Sequence, residues 1–252
     1  MRGIKMKALI LTVAGMSTRF SQSVGYECIK CIYHENDIKT CILSRLLQSN
    51  QKYCDIVIVV GGFKFDELNQ CIDREFIEEY DILTVKNEHY FDYGSNYSLL
   101  LGLEKAFELG ADEIVFSEGD LYVNPDDFKK IWCDDRDVIT ANFMPIDASK
   151  SVAFYYDIKS QVHYIFDSSH ETFEINESFT TIRNSGQIWK FKNINRLKEI
   201  CINLTEKEKQ QGTNLIIIQK YFGQKKRETY SLIDISNWIN CNTVDDFRSI
   251  LE

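Results

Sequence analysis

The sequence predicts a three-layer α/β fold, with a mostly parallel sheet between two layers of helices and a β-rich insertion in the second half. Three observations predict it. Short apolar runs alternate with helical spacings from Lys7 to Asp120, the pattern of strands joined by crossover helices. The first, second and fourth runs lead into Ala14-Gly15, Gly61-Gly62 and Asp120, and ligands of such sheets sit at the carboxyl ends of the strands. From Val138 to Phe166 the alternation stops and extended segments follow one another, which suits hairpins better than crossovers.

Residues 8–13 read as a buried first strand that breaks into Ala14-Gly15-Met16-Ser17-Thr18-Arg19. Small residues there let the main chain pass close to a ligand, with backbone N–H groups free to point at phosphates. Arg19 adds a forked cation after them, and Lys30 offers a second. Residues 40–49 carry Ile42, Leu43, Leu46 and Leu47 at helical spacing. Residues 54–60 form a second strand ending at Gly61-Gly62, 65–76 an amphipathic helix, and 82–85 a short third strand. The polar stretch 87–94 then enters a helix with Ser95 or Asn96 as its cap and Leu99, Leu100, Leu103, Ala106 and Phe107 as its core face. Residues 113–116 make the fourth strand, followed at once by Ser117-Glu118-Gly119-Asp120. This order implies right-handed crossovers and a parallel sheet.

In the second half, 139–143, 152–156 and 162–166 read as strands, the run Phe154-Tyr155-Tyr156 alternating between core and solvent. A further strand, 187–191, follows Asn184-Ser185-Gly186. Residues 194–208 and 214–221 read as helices, 230–235 as a late strand, and a last helix starts at Thr243. Without a repeat or linker, residues 1–252 read as one domain, long enough to bury a sizeable core.

Composition narrows the chemistry. A net charge of −9, with no basic tract longer than Lys225-Lys226-Arg227, speaks against nucleic acid as a partner. Eight cysteines include one C-x-x-C, Cys28 and Cys31, but no second pair at zinc-ribbon spacing. No leader segment and no apolar run of bilayer length is seen, so the chain reads as cytoplasmic with reduced thiols and no membrane partner. His34, His89, His163 and His170 stand alone, without a second ligand at helix or hairpin spacing. Asp120, directly after a buried strand at the ligand edge, suits magnesium held against phosphates. Asn242 is a second candidate ligand through its neutral oxygen.

Several pieces together resemble the nucleotidyltransferases with a Rossmann-like, GT-A-like fold, which join NTPs to sugar phosphates or small phosphorylated alcohols. Ala14-Gly15-Met16-Ser17-Thr18-Arg19-Phe20 is similar to their glycine-rich signature, with Ser17 in place of the second glycine. Lys30 lies where that family keeps a Pro-Lys, Ile29 replacing the proline. Asn87, Tyr90 and Asn96-Tyr97-Ser98-Leu99 resemble a stretch of the phosphocholine cytidylyltransferase branch. Glu118-Gly119-Asp120 matches the family's first metal carboxylate, and Trp238 to Thr243 its closing segment, where the second metal ligand stands.

The resemblance implies a CTP-dependent cytidylyltransferase with magnesium as cofactor. Residues 1–137 would bind nucleotide and 138–252 a small phosphorylated acceptor. Arg19 and Lys30 would be catalytic. Thr12, Val13, Ala14, Gly15, Met16, Ser17, Thr18, Gly61, Gly62, Asn96, Ser98 and Glu118 would shape the nucleotide site. Asp120 and Asn242 would hold the metal, with Asn240 an alternative to Asn242, and Ser185, Gly186 and Gln187 would meet the acceptor. Phosphocholine, a phosphonate, a phosphoglutamine-like compound and a polyol phosphate all fit as acceptors, and surface-polysaccharide modification is the destination the family suggests. UTP or GTP with a sugar 1-phosphate, or glycosyl transfer from a nucleotide sugar, are the competing assignments. Oligomeric state stays open between monomer and homodimer.

Overall fold

The computed structural model describes residues 5–166 and 171–251, so His170 lies outside the described residues. In chain order the elements are β1 (Lys7–Thr12), α1 (Thr18–Val24), α2 (Ile42–Asn50), β2 (Ile56–Gly61), α3 (Phe65–Glu75), β3 (Ile82–Lys86), α4 (Ser95–Glu108), β4 (Glu113–Glu118), β5 (Leu121–Val123) and α5 (Pro125–Cys133). There follow β6 (Asp137–Asn142), β7 (Ala153–Asp157), β8 (Val162–Ile165), β9 (Phe179–Phe191), α6 (Ile194–Ile202), α7 (Glu206–Gln211), α8 (Leu215–Phe222), β10 (Tyr230–Ile235), β11 (Trp238–Asn240) and α9 (Val244–Leu251).

The central strands run in the order β10-β6-β9-β4-β1-β2-β3. All are parallel except β9, which lies antiparallel between β4 and β6. Continuous apolar sequence in β1, β2 and β4 follows from burial on both faces, and the two faces separate by residue parity. Leu9, Leu11, Val57, Val59 and Val115 pack against α2, α3, α5 and α9. Ala8, Ile10, Ile58, Val60, Ile114 and Phe116 pack against α4, α6 and α8. The expected three layers are present.

Several local expectations need correction. The strand expected over 113–116 runs on through Ser117 and Glu118, bringing Glu118 into the sheet. Helix α4 is capped by Gly94, not by Ser95 or Asn96; the Asn96 amide instead donates to Glu208 O at 2.9 Å, tying α4 to α7. The helix expected over 194–208 is two helices, because Thr205 and Glu208 form a capping box that starts α7. Asn184-Ser185-Gly186, read as a break before a strand, lies inside the long β9. Phe154, Tyr155 and Tyr156 are all buried, because Phe154 and Tyr156 join the core on one face while the rings of His163 and Phe179, at 5.0 and 5.9 Å, pack against Tyr155 on the other. The β-rich segment also divides. β6 and the C-terminal half of β9 join the central sheet, while β7, β8 and the N-terminal half of β9 project beyond it.

Among the described residues no helix is long and apolar enough to cross a membrane. The cysteines are free thiols, and no group of three or more His, Cys, Asp or Glu is placed to hold a metal among the described residues. Burial pushes the Cys31 thiol well up.

Candidate active site

β1 and β4 are parallel neighbours, with Thr12 beside Glu118. The loop leaving β1 and the turn leaving β4 therefore emerge together at the carboxyl edge of the sheet. The loop is clamped to the next strand, since Val13 N–H donates to Val60 O at 2.8 Å and Phe63 N–H to Ala14 O at 3.2 Å. Beyond the clamp, the backbone N–H groups of Ala14, Gly15, Met16 and Ser17 have no partner among the described residues. A Cβ built on Gly15 would meet nothing within 4 Å, so the loop borders open space. Ser17 stands in the left-handed region at φ 53°, and its Oγ accepts from Lys30 N–H at 3.3 Å.

Gly119 makes the other half of the edge. A Cβ there would lie 2.2 Å from Val13 Cγ1 and 3.0 Å from Thr12 O, so glycine alone lets this turn close onto β1. Asp120 follows, its Oδ2 accepting from Lys30 Nζ at 2.8 Å while its Oδ1 is buried without a partner. β5 and β11 pair antiparallel with Asn240 opposite Leu121, and Cys241 N–H donates to Asp120 O at 2.9 Å. That pairing carries Asn240 and Asn242 to the Asp120 turn. The Asn242 amide nitrogen donates to Asn240 Oδ1 at 2.9 Å, leaving Asn242 Oδ1 free of partners among the described residues. A carboxylate oxygen and a carboxamide oxygen are hard donors, so the set suits a hard divalent cation completed by water or phosphate oxygens. Glu118 accepts from Asn214 Nδ2 at 2.7 Å. Burial, and then the neighbouring Asp120 charge, push its carboxyl up to about 7.

These groups border one cavity of about 430 Å³. Of the expected nucleotide-site residues, Thr12, Val13, Ala14, Gly15, Ser17, Ser98 and Glu118 line it, as do Arg19, Lys30, Asp120, Asn242 and Gln187. Arg19 is exposed and makes no hydrogen bond or ion pair with another described residue. Met16, Thr18, Gly61, Gly62, Asn96, Ser185 and Gly186 do not line the cavity. Met16 is half exposed, and Thr18 opens α1. Gly61 packs under Leu68 and Phe65, and Gly62 behind the wall, where a Cβ would lie 2.3 Å from Tyr90 Cβ and 2.9 Å from Ala14 O. Asn96 is spent on Glu208. Ser185 Oγ accepts from Gln187 N–H at 3.1 Å and Gly186 O accepts from Trp238 Nε1 at 2.9 Å, so both brace β9 from within.

The structure adds residues that the sequence reading passed over. Asn214 sits on Glu118, while Thr213, Tyr93 and Lys150 also line the cavity. Asn214 was legible only as a helix start, because nothing local marks a partner 96 positions away. Asn87 and Tyr90, seen in sequence as parts of a motif, join the wall. The Asn87 amide donates to Ser98 Oγ at 2.9 Å, fixing that hydroxyl at the cavity.

No curated protein matches the chain in sequence. Solved structures share its fold across nearly its whole length. The inositol-1-phosphate CTP transferase from T. maritima is 13% identical with a TM-score of 0.70, covering 98% of this chain and 96% of that one. The CTP:phosphocholine cytidylyltransferase from Streptococcus pneumoniae (LicC) is 16% identical with a TM-score of 0.62, covering 99% and 100%. A UDP-glucose pyrophosphorylase complexed with UDP-glucose is 10% identical with a TM-score of 0.68, covering 97% of each chain. The architecture is that of the nucleotidyltransferases, as the sequence motifs led one to expect. Residues 26–252 match the family described as Domain of unknown function (DUF6564), and the chain belongs to that family.

Proposed function

We propose that the protein is a nucleotidyltransferase that moves CMP from CTP onto a small phosphorylated acceptor and releases pyrophosphate. The observation that carries the reading is convergence. The loop with free N–H groups, the Lys30–Asp120 pair and the Asn240–Asn242 turn meet on one cavity rim where β1 and β4 end. CTP as donor is favoured by cytidylyl-transferring proteins among the structural neighbours.

An oxygen of the acceptor phosphate attacks the α-phosphorus of CTP. A new P–O bond forms, the bond from the α-phosphorus to the oxygen bridging it to the β-phosphorus breaks, and pyrophosphate leaves with that electron pair. The attacking phosphate is already largely ionised at neutral pH, so positioning and charge neutralisation carry the rate. The N–H groups of residues 14–17 cradle the triphosphate, and Arg19 and Lys30 balance the charge that builds on pyrophosphate. Thr12, Ala14, Ser98 and Tyr90 shape the nucleoside end, and Gln187 lies on the acceptor side. Magnesium held by Asp120 and Asn242 would supply charge neutralisation and polarise the phosphoryl group. The cytoplasm, where CTP is made, is the proposed compartment, and a CDP-linked product suits the assembly of surface polymers.

The test is pyrophosphate release with each NTP against a panel of phosphorylated acceptors, together with the rise in melting temperature each NTP gives in magnesium. CTP should give the largest rise and support release. No release with any pair would refute the reading.

A further inference from the structure

One cavity residue carries two unresolved burdens. Gln187 is 2% exposed, yet it stands in the left-handed region at φ 56°. It sits where the register of β9 against β6 shifts between Ile139 and Ala141, a bulge of the kind that re-aims a side chain. Its Nε2 is buried without a partner, and no hydrogen bond reaches its Oε1 among the described residues. Strain and an unpaired carboxamide at the same buried position mark a site held ready for a ligand. The surrounding backbone is fixed, because Ser185 Oγ, Asn142 and Trp238 tie residues 185–187 in place.

Lys150 lines the same cavity with a largely exposed side chain, its ammonium 3.8 Å from Asp147. The carboxylates of the lining, among the described residues, are Glu118 and Asp120, engaged with Asn214 at 2.7 Å and Lys30 at 2.8 Å. One face of Tyr93 is covered by the His89 ring at 4.1 Å.

We propose that Gln187 selects the acceptor, admitting a phosphorylated polyol and excluding a phosphorylated quaternary ammonium compound. The proposal rests on the nucleotidyl-transfer reading of the cavity. A carboxamide gives and receives hydrogen bonds, and a hydroxyl group meets both needs. A trimethylammonium head gives no hydrogen bond and leaves the Gln187 amide buried and unpaired.

Calorimetric titration in magnesium and a non-hydrolysable CTP analogue tests it without turnover. Glycerol 3-phosphate, ribitol 5-phosphate, inositol 1-phosphate and phosphocholine are titrated into the wild type, Gln187→Leu and Gln187→Gly. Glycine relieves the left-handed backbone, so Gln187→Gly keeps the fold while removing the amide. At least one polyol phosphate should bind the wild type about tenfold or more tightly than phosphocholine does. Both variants should lose about tenfold of that affinity while analogue binding stays unchanged. Equal or tighter phosphocholine binding, polyol affinity retained in Gln187→Gly, or no acceptor binding at all would overturn the proposal. Gln187-dependent binding without pyrophosphate release would refute the transfer reading and keep only the selectivity of Gln187 for a polyol phosphate. Release with phosphocholine preferred would do the reverse.

Discussion

Replacing Lys30 by alanine should move two measurable quantities in opposite directions. Lys30 Nζ lies 2.8 Å from Asp120 Oδ2, with the side chains 16% and 24% exposed. At an effective dielectric of ~20 the bare attraction over that separation is about 6 kcal/mol, most of it offset by desolvation and lost side-chain freedom. A net worth of about 1–1.5 kcal/mol is reasonable for a part-exposed pair. A divalent cation entering at Asp120 competes with that ammonium for the carboxylate's charge. Without it, Mn²⁺ binding to nucleotide-free protein should tighten by about tenfold, the equivalent of ~1.4 kcal/mol. On the proposed role, in which Lys30 balances the departing pyrophosphate, turnover should fall by about 10²–10³-fold. Metal affinity is read by Mn²⁺ titration with paramagnetic resonance detection, and turnover by pyrophosphate release. Weaker Mn²⁺ binding in Lys30→Ala, or a rate loss under about threefold, would refute the role given to the pair.

Other outcomes follow from close contacts. Gly119→Ala puts a Cβ 2.2 Å from Val13 Cγ1 and 3.0 Å from Thr12 O; the turn must lift away from β1, so nucleotide-induced stabilisation should vanish and melting temperature fall. Unchanged binding in that variant would contradict the packing argument. Asn50→Ala removes the acceptor of the buried Trp132 indole N–H at 2.7 Å, a loss of about 2–3 kcal/mol that a denaturant titration should show. Glu208 is held below the ordinary carboxylate range by Lys220 at 2.9 Å and by the Thr205 N–H. The native state therefore releases that proton more readily than the unfolded chain, so the stability is present above the ordinary range and lost as pH falls through the native pKa. Glu208→Gln should be about 0.5–1 kcal/mol less stable than wild type at pH 7, a gap that closes towards pH ~3; a gap that persists in acid would show that charge is not its source.

Much of the fold is legible in the sequence, and the boundary is physical. Strands buried on both faces announce themselves as unbroken apolar runs, and the residues leaving them fall at the ligand edge. The apolar spacing over 194–208 masks the Thr205–Glu208 start signal that divides it into two helices. Asn184-Ser185-Gly186 carries turn chemistry locally, but flanking strands β6 and β7 hold it extended. Asn96 has the composition of a pocket residue and spends its amide on α7. Glu118 with Asn214, and Asp120 with the β5–β11 pairing, join segments about a hundred positions apart, and no periodicity encodes such meetings.

β9 is a single strand, bulged at Gln187, from Phe179, beside the β7–β8 hairpin, to Phe191, beside Ile114 at the foot of β4. The projecting hairpin and the central sheet are thus tied through one shared strand, so the hairpin's place is set by the same backbone that lies beside β4.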